Sequence, residues 1–158
     1  MKSVTINELS FFDDMIVPDK GLVIRQPWAD MIVTGEKQWE IRGFRSHFRG
    51  PIAIIAGGTG TILGTCELVN CIGPLTLECY NSHSRLRGSP DEVVDRLPYK
   101  NTYAWHIAKA RQFSVSVPYV HPMGAVIWVT LSPEMRAQVV RQCIAENTPR
   151  GTRCNAEG

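Results

Sequence analysis

Residues 35–42 read Gly35-Glu36-Lys37-Gln38-Trp39-Glu40-Ile41-Arg42. From Gln38 onward polar and apolar side chains alternate, the two-residue period of a strand with one buried face. Trp39 and Ile41 then share a core-facing side. Gln38, Glu40 and Arg42 share the other, with Lys37 at the strand entry beside them. Glu40 and Arg42 are close enough for a charge-assisted pair. If the polar face lines a cleft, a lysine near a carboxylate and an arginine has a shifted pKa and is a candidate functional group. The expectation is a concave, partly exposed site where Lys37, Glu40 and Arg42 converge, with Trp39 and Ile41 buried behind it. On that expectation Glu40→Gln damages function and leaves melting nearly unchanged.

Upstream of this strand, Gly21 to Arg25 is a short buried strand, and Pro27 opens a helix that carries Trp28, Met31 and Ile32 and closes at Gly35. Downstream, Arg45 to Gly50 is a basic loop and Pro51 to Ala56 an apolar strand. Gly57-Gly58-Thr59-Gly60 is a tight turn and not a phosphate loop, because no lysine follows at the required spacing. Thr61 to Ile72 is a long strand with Gly64 as a bulge site. Ser89-Pro90-Asp91-Glu92 has the signature of a helix start. Thr102 to Ala108 and Gly124 to Leu131 are further strands. Ser132-Pro133-Glu134 caps a helix running to about Glu146, with an apolar stripe of Met135, Val139, Val140 and Ile144.

Short strands with only short helices between them give a mostly β chain with peripheral helices (α+β), closing as a small β-barrel. A doubly wound sheet would need regular crossover helices. The expected organisation is an arm or short helix over 1–20, a barrel over 21–131, a helix over 132–147 packed on the barrel, and a flexible tail over 148–158.

With 158 residues and a net charge of only +2, overall charge is a weak argument for nucleic acid, so the case rests on clusters. Arg42, Arg45, His47 and Arg49 alternate with Phe44 and Phe48, a pattern suited to phosphate contact and base stacking. Arg85, Arg87, Lys109 and Arg111 are candidates to widen that patch. The five cysteines contain no Cys-x-x-Cys pair, which points to free thiols in a reducing, cytoplasmic setting. Cys66, Cys71, Cys79 and His83 fit no common zinc spacing, so neither metal nor cofactor is expected. No secretion signal is expected from the Met1-Lys2-Ser3-Val4-Thr5 start, nor any membrane partner, since no apolar run approaches the roughly 18 residues a span needs. His106 and His121 have no serine or cysteine elbow beside them, which argues against a nucleophile triad.

Arg25-Gln26-Pro27-Trp28-Ala29 followed by Gly35-x-Lys37-x-x-Glu40-x-Arg42 resembles the signature of the ASCH family, within the PUA-like superfamily. The resemblance continues through Ile62 to Leu68 and through Tyr103-Ala104-Trp105, ending near Leu131. It implies a PUA-like β-barrel with a cleft at the motif strand and a role in RNA or nucleotide recognition. Some bacterial ASCH proteins hydrolyse acetylated cytidine and others are described as ribonucleases. In the amidohydrolases the lysine matching Lys37 is catalytic, whereas their catalytic threonine falls at Glu40, where this chain departs from the pattern. Glu78, Asp91 and Glu92 are the candidates for their remaining glutamate.

Three functions follow as alternatives. The first is a binding module for single-stranded RNA or a nucleoside-like ligand, using Arg25, Trp28, Lys37, Glu40, Arg42, Arg45 and Arg49. The second is a small hydrolase acting on a modified nucleoside or on RNA, with Lys37 at the reacting group and Glu40 as general base. The third is a protein-interaction adaptor docking an unknown partner through the first 20 residues and the helix from Ser132.

Overall fold

A computed structural model describes residues 17–124 and 127–147, so most of the expected arm and all of the expected tail lie outside the described residues. Among the described residues six strands and three helices follow in chain order. They are β1 (Lys20–Ile24), α1 (Trp28–Val33), β2 (Trp39–Arg42), β3 (Gly50–Ala56), β4 (Thr61–Ile72), α2 (Leu77–Ser82), β5 (Tyr103–Pro118), β6 (Trp128–Thr130) and α3 (Pro133–Asn147).

The strands form one sheet in the order β2-β5-β4-β3-β1-β6. Only β1 and β3 pair in parallel, with Ile24 opposite Ala56; the other neighbours are antiparallel. The sheet curls far enough for its two edges to meet. Trp105 on β5 stacks on Trp128 of β6 at 5.8 Å, and Arg42 at the β2 edge donates through Nη2 to the Val23 carbonyl of β1 at 3.2 Å. The result is a mostly β half-barrel with peripheral helices, as the strand pattern requires.

Inside the curl lies a core of Leu22, Ile24, Ile52, Ile54, Leu68 and Trp105, into which α1 inserts Ala29, Ile32 and Val33. Thr34 ends α1, and Gly35 follows at φ +86°, a conformation suited to glycine just past a helix. A Cβ at Gly64 would run into the Arg111 carbonyl, so the β4–β5 register shift at this residue has room only for glycine.

Two further clusters cover the outside. Beneath α3, Val139 and Cys143 are buried with Ala53, Ile55, Ile62, Phe113 and Val117, and Met135 packs at their margin. The stripe that meets the sheet is therefore 135, 139 and 143, with Ile144 exposed. Ser132 caps α3 as expected, its Oγ accepting the Met135 N–H at 3.2 Å. Beneath α2, Trp39 is buried with Leu75, Tyr80 and Ala104.

The middle of the chain differs most from expectation. No helix starts at Ser89. The helix is instead α2, capped by Thr76, whose side chain accepts the Cys79 N–H at 3.1 Å. Residues 84–101 cross the β2 edge as an irregular strap. Asp91 there has φ 65°, which no α-helix accommodates, and the Glu92 carboxylate pairs with Arg87 at 2.9 Å instead of serving a helix N-terminus. β5 runs 16 residues, well beyond Ala108, and β6 is shorter than the expected strand from Gly124.

Candidate functional site

The period-two reading of 38–42 decides what faces where. Glu40 lies directly opposite Trp105 on β5, and Ile41 opposite Ala104. Glu40 and Arg42 consequently point into the curl, and Trp39 and Ile41 point outward under α2 and the strap. The polar face is not solvated: Lys37 is 5 % and Glu40 8 % exposed.

These groups form a chain of charges. Lys37 Nζ lies 3.7 Å from Glu40 Oε2, and Arg42 Nε lies 3.0 Å from Glu40 Oε1. The second contact has an ion-pair distance at an angle that leaves the buried Arg42 Nε–H without a hydrogen-bond acceptor among the described residues. The Arg42 guanidinium sits over the Trp105 ring at 5.7 Å. Lys37 also donates to the Arg87 carbonyl at 2.8 Å, with its ammonium 5.0 Å above the Trp28 ring.

The strap closes this side. Gln38 and Trp39 both donate backbone N–H groups to the Leu86 carbonyl. Arg87 is 3 % exposed, donates Nε to the Tyr80 carbonyl at 3.0 Å, lies 3.7 Å over the Tyr80 ring and pairs with Glu92. Asn81 brackets Val94 with two side-chain bonds.

Together these elements enclose an open cleft of about 940 Å³. One end is lined by Val23, Arg25 and Arg42 with the Gly57–Gly58 turn, and the other by Tyr80, Arg87 and Glu92 of α2 and the strap; Tyr99, whose ring lies beside Gly43, and Trp28, Lys37 and Glu40 also line it. Of the residues expected at the site, Arg25, Trp28, Lys37, Glu40 and Arg42 come together here. Arg45 and Arg49 do not line the cleft. Arg45 donates to the Gly73 carbonyl at 2.8 Å and lies over Tyr103, while Arg49 donates to the Ser46 and Phe48 carbonyls. The interleaved phenylalanines anchor that loop: Phe44 meets Trp105 edge-on and Phe48 meets Trp128. Gln38 is exposed and Lys109 pairs with Glu67, both outside the cleft. Among the three candidate acids only Glu92 reaches the lining.

Tyr80 and Tyr99 are the contributors that the sequence did not single out, because the segment around them has no period; Arg87, expected only to widen the basic patch, lines the cleft. Burial pushes the Lys37 pKa down; Glu40 opposes this, and Arg87 and Arg42 add to it. The Lys37 amine is therefore expected to titrate below the ordinary lysine value. Side-chain NMR, with the resonance assigned by its loss in Lys37→Met, checks this. A midpoint at or above that value would contradict the desolvated placement.

Among the described residues no group of three or more His, Cys, Asp or Glu side chains is placed to hold a metal, and no helix is long and apolar enough to cross a membrane.

A half-barrel β-sheet with peripheral helices and a cation-rich cleft at its motif strand defines the class of this protein. The chain belongs to the ASCH domain family, whose model matches residues 22–116, more than half of its length. Its fold is similar to crystal structures of the ASCH protein from Zymomonas mobilis. The protein itself superposes with a TM-score of 0.57 at 16 % identity, covering 77 % of this chain and 92 % of that one. A serine-to-alanine mutant of the same protein gives 0.59 at 15 %, covering 79 % and 98 %. A tyrosine-to-phenylalanine mutant gives 0.58 at 16 %, covering 77 % and 96 %. No curated protein matches the chain.

Proposed function

We propose that the cleft binds single-stranded RNA or a nucleotide within it. The observation that carries this reading is the meeting of four cationic side chains, Arg25, Lys37, Arg42 and Arg87, with the exposed rings of Trp28 and Tyr99 in one open cleft. Cations beside stacking rings are the means by which single strands are held without a base-pairing partner. Affinity for a short single-stranded RNA is expected to fall with salt, at a log–log slope of about −0.7 per neutralised phosphate. Trp28→Ala weakens binding, and Arg49→Ala, outside the cleft, leaves it unchanged. Salt-independent binding, or none at low salt, would sink the reading.

A second reading, a small hydrolase on a modified nucleoside or on RNA, is favoured by one feature: a lysine whose pKa burial pushes down, with the Glu40 carboxylate 3.7 Å away. Both Glu40 oxygens face cations, so Glu92, whose side chain is 49 % exposed, is the carboxylate with room for a water. Turnover of modified nucleosides or short RNAs that survives Lys37→Ala rejects this mechanism.

A further inference from the structure

Most of the cleft's charged donors are already engaged within the protein. Lys37 is committed to the Arg87 carbonyl, Glu40 and the Trp28 ring. Arg87 is committed to the Tyr80 carbonyl and, twice over, to Glu92. What remains lies at one end. Arg25 is exposed, its carbonyl accepting the Ala29 N–H, and its side chain makes no hydrogen bond or ion pair among the described residues. Arg42 keeps a buried Nε–H with no acceptor.

The topology makes these two neighbours. Arg42 reaches the Val23 carbonyl, Arg25 follows two residues later just past the end of β1, and both line the cleft. Since Ile24 pairs with Ala56, Arg25 and Gly57 emerge side by side from the parallel strands, with Gly57 N–H donating to the Ile24 carbonyl at 2.8 Å. Gly58, at φ +79°, would meet nothing within 4 Å of an added Cβ, so the turn borders open space. The cleft's carboxylates are taken, Glu40 by Lys37 and Arg42 and Glu92 by Arg87. Arg42 shares the single Glu40 carboxylate with Lys37, so a neutral ligand would leave the Arg25 guanidinium at this end without a counter-charge.

We propose that Arg25, Arg42 and the Gly57–Gly58 turn form a phosphate subsite, so that the cleft's ligand is a phosphorylated nucleotide whose base lies on Trp28. Guanidinium forks match phosphate oxygens in charge and geometry. Trp28 lies three residues beyond Arg25 and has one ring face under the Lys37 ammonium, which leaves the other for a base. The inference rests on the nucleotide reading of the cleft and adds which end holds the phosphate.

The experiment is calorimetric titration of the full chain at low salt with adenosine, adenosine 5′-monophosphate, the dinucleoside monophosphate ApA and a short single-stranded RNA. A phosphate-bearing probe is expected to bind about tenfold or more tighter than adenosine. Preference for the monophosphate assigns the subsite to a terminal monoester, and preference for ApA to a strand's diester. Arg25→Ala, at an exposed residue that leaves the fold intact, is expected to abolish the phosphate advantage while keeping adenosine affinity. Trp28→Ala is expected to weaken adenosine and all three phosphate-bearing probes alike. Equal affinity for adenosine and the phosphate probes, or an advantage that survives Arg25→Ala, overturns the subsite while leaving a nucleoside-binding cleft. Absence of binding by all four probes overturns the nucleotide reading and the subsite together.

Discussion

Truncating Trp39 to alanine is expected to cost the fold about 3–5 kcal/mol, the range for removing a large buried aromatic. The residue is 5 % exposed and packs against Leu75, Tyr80 and Ala104. Its indole stacks on His83 with ring centres 4.7 Å apart. Trp39 sits between the sheet and the α2–strap layer, so the cavity opens where one cleft wall is attached. The variant is expected to lose ligand binding along with stability, although Trp39 touches no ligand in the proposed mode. Trp28→Ala is the control, because Trp28 is 36 % exposed and its removal should cost little stability. Urea unfolding of both variants separates the cases. A loss below about 1 kcal/mol for Trp39→Ala, the level of an average substitution, would mean that the layer does not depend on this side chain.

The faces of β2 were legible because a period of two leaves one arrangement once Trp39 is buried. β3, β4 and the start of α3 were legible for similar local reasons: an apolar run, a long alternation, a serine cap followed by proline. The strap was not. Ser89-Pro90-Asp91-Glu92 carries good helix-start chemistry, yet Arg87 draws the Glu92 carboxylate away and the strap's contacts through Leu86, Gly88 and Val94 hold an irregular path across β2. Local propensity amounts to about a kcal/mol, and a buried guanidinium requiring its partners outweighs it. Likewise, spacing alone grouped Arg45 and Arg49 with Arg42. Their guanidinium groups are spent on backbone carbonyls of loops, a use that leaves no mark in the pattern.

Glu40 is where the structure changes the expected outcome most. Read as a half-exposed strand residue, it could lose its charge without loss of stability. In the fold it is 8 % exposed, and its two oxygens face Lys37 and Arg42. Glu40→Gln removes the negative charge and leaves two desolvated cations facing a neutral amide, one half of which is a donor. Breaking one partner out of a buried ionic group costs about 3–5 kcal/mol, so melting is expected to fall sharply. The double variant Lys37→Met/Glu40→Gln removes one of the stranded cations and is expected to recover part of that loss, making the two substitutions non-additive. Thermal or urea unfolding of the wild type, both single variants and the double variant completes the cycle. A Glu40→Gln variant within about 0.5 kcal/mol of wild type, the level of an ordinary surface change, would mean that Lys37 and Arg42 do not need the carboxylate between them. The cleft's charge would then have to be held in place by the strap alone.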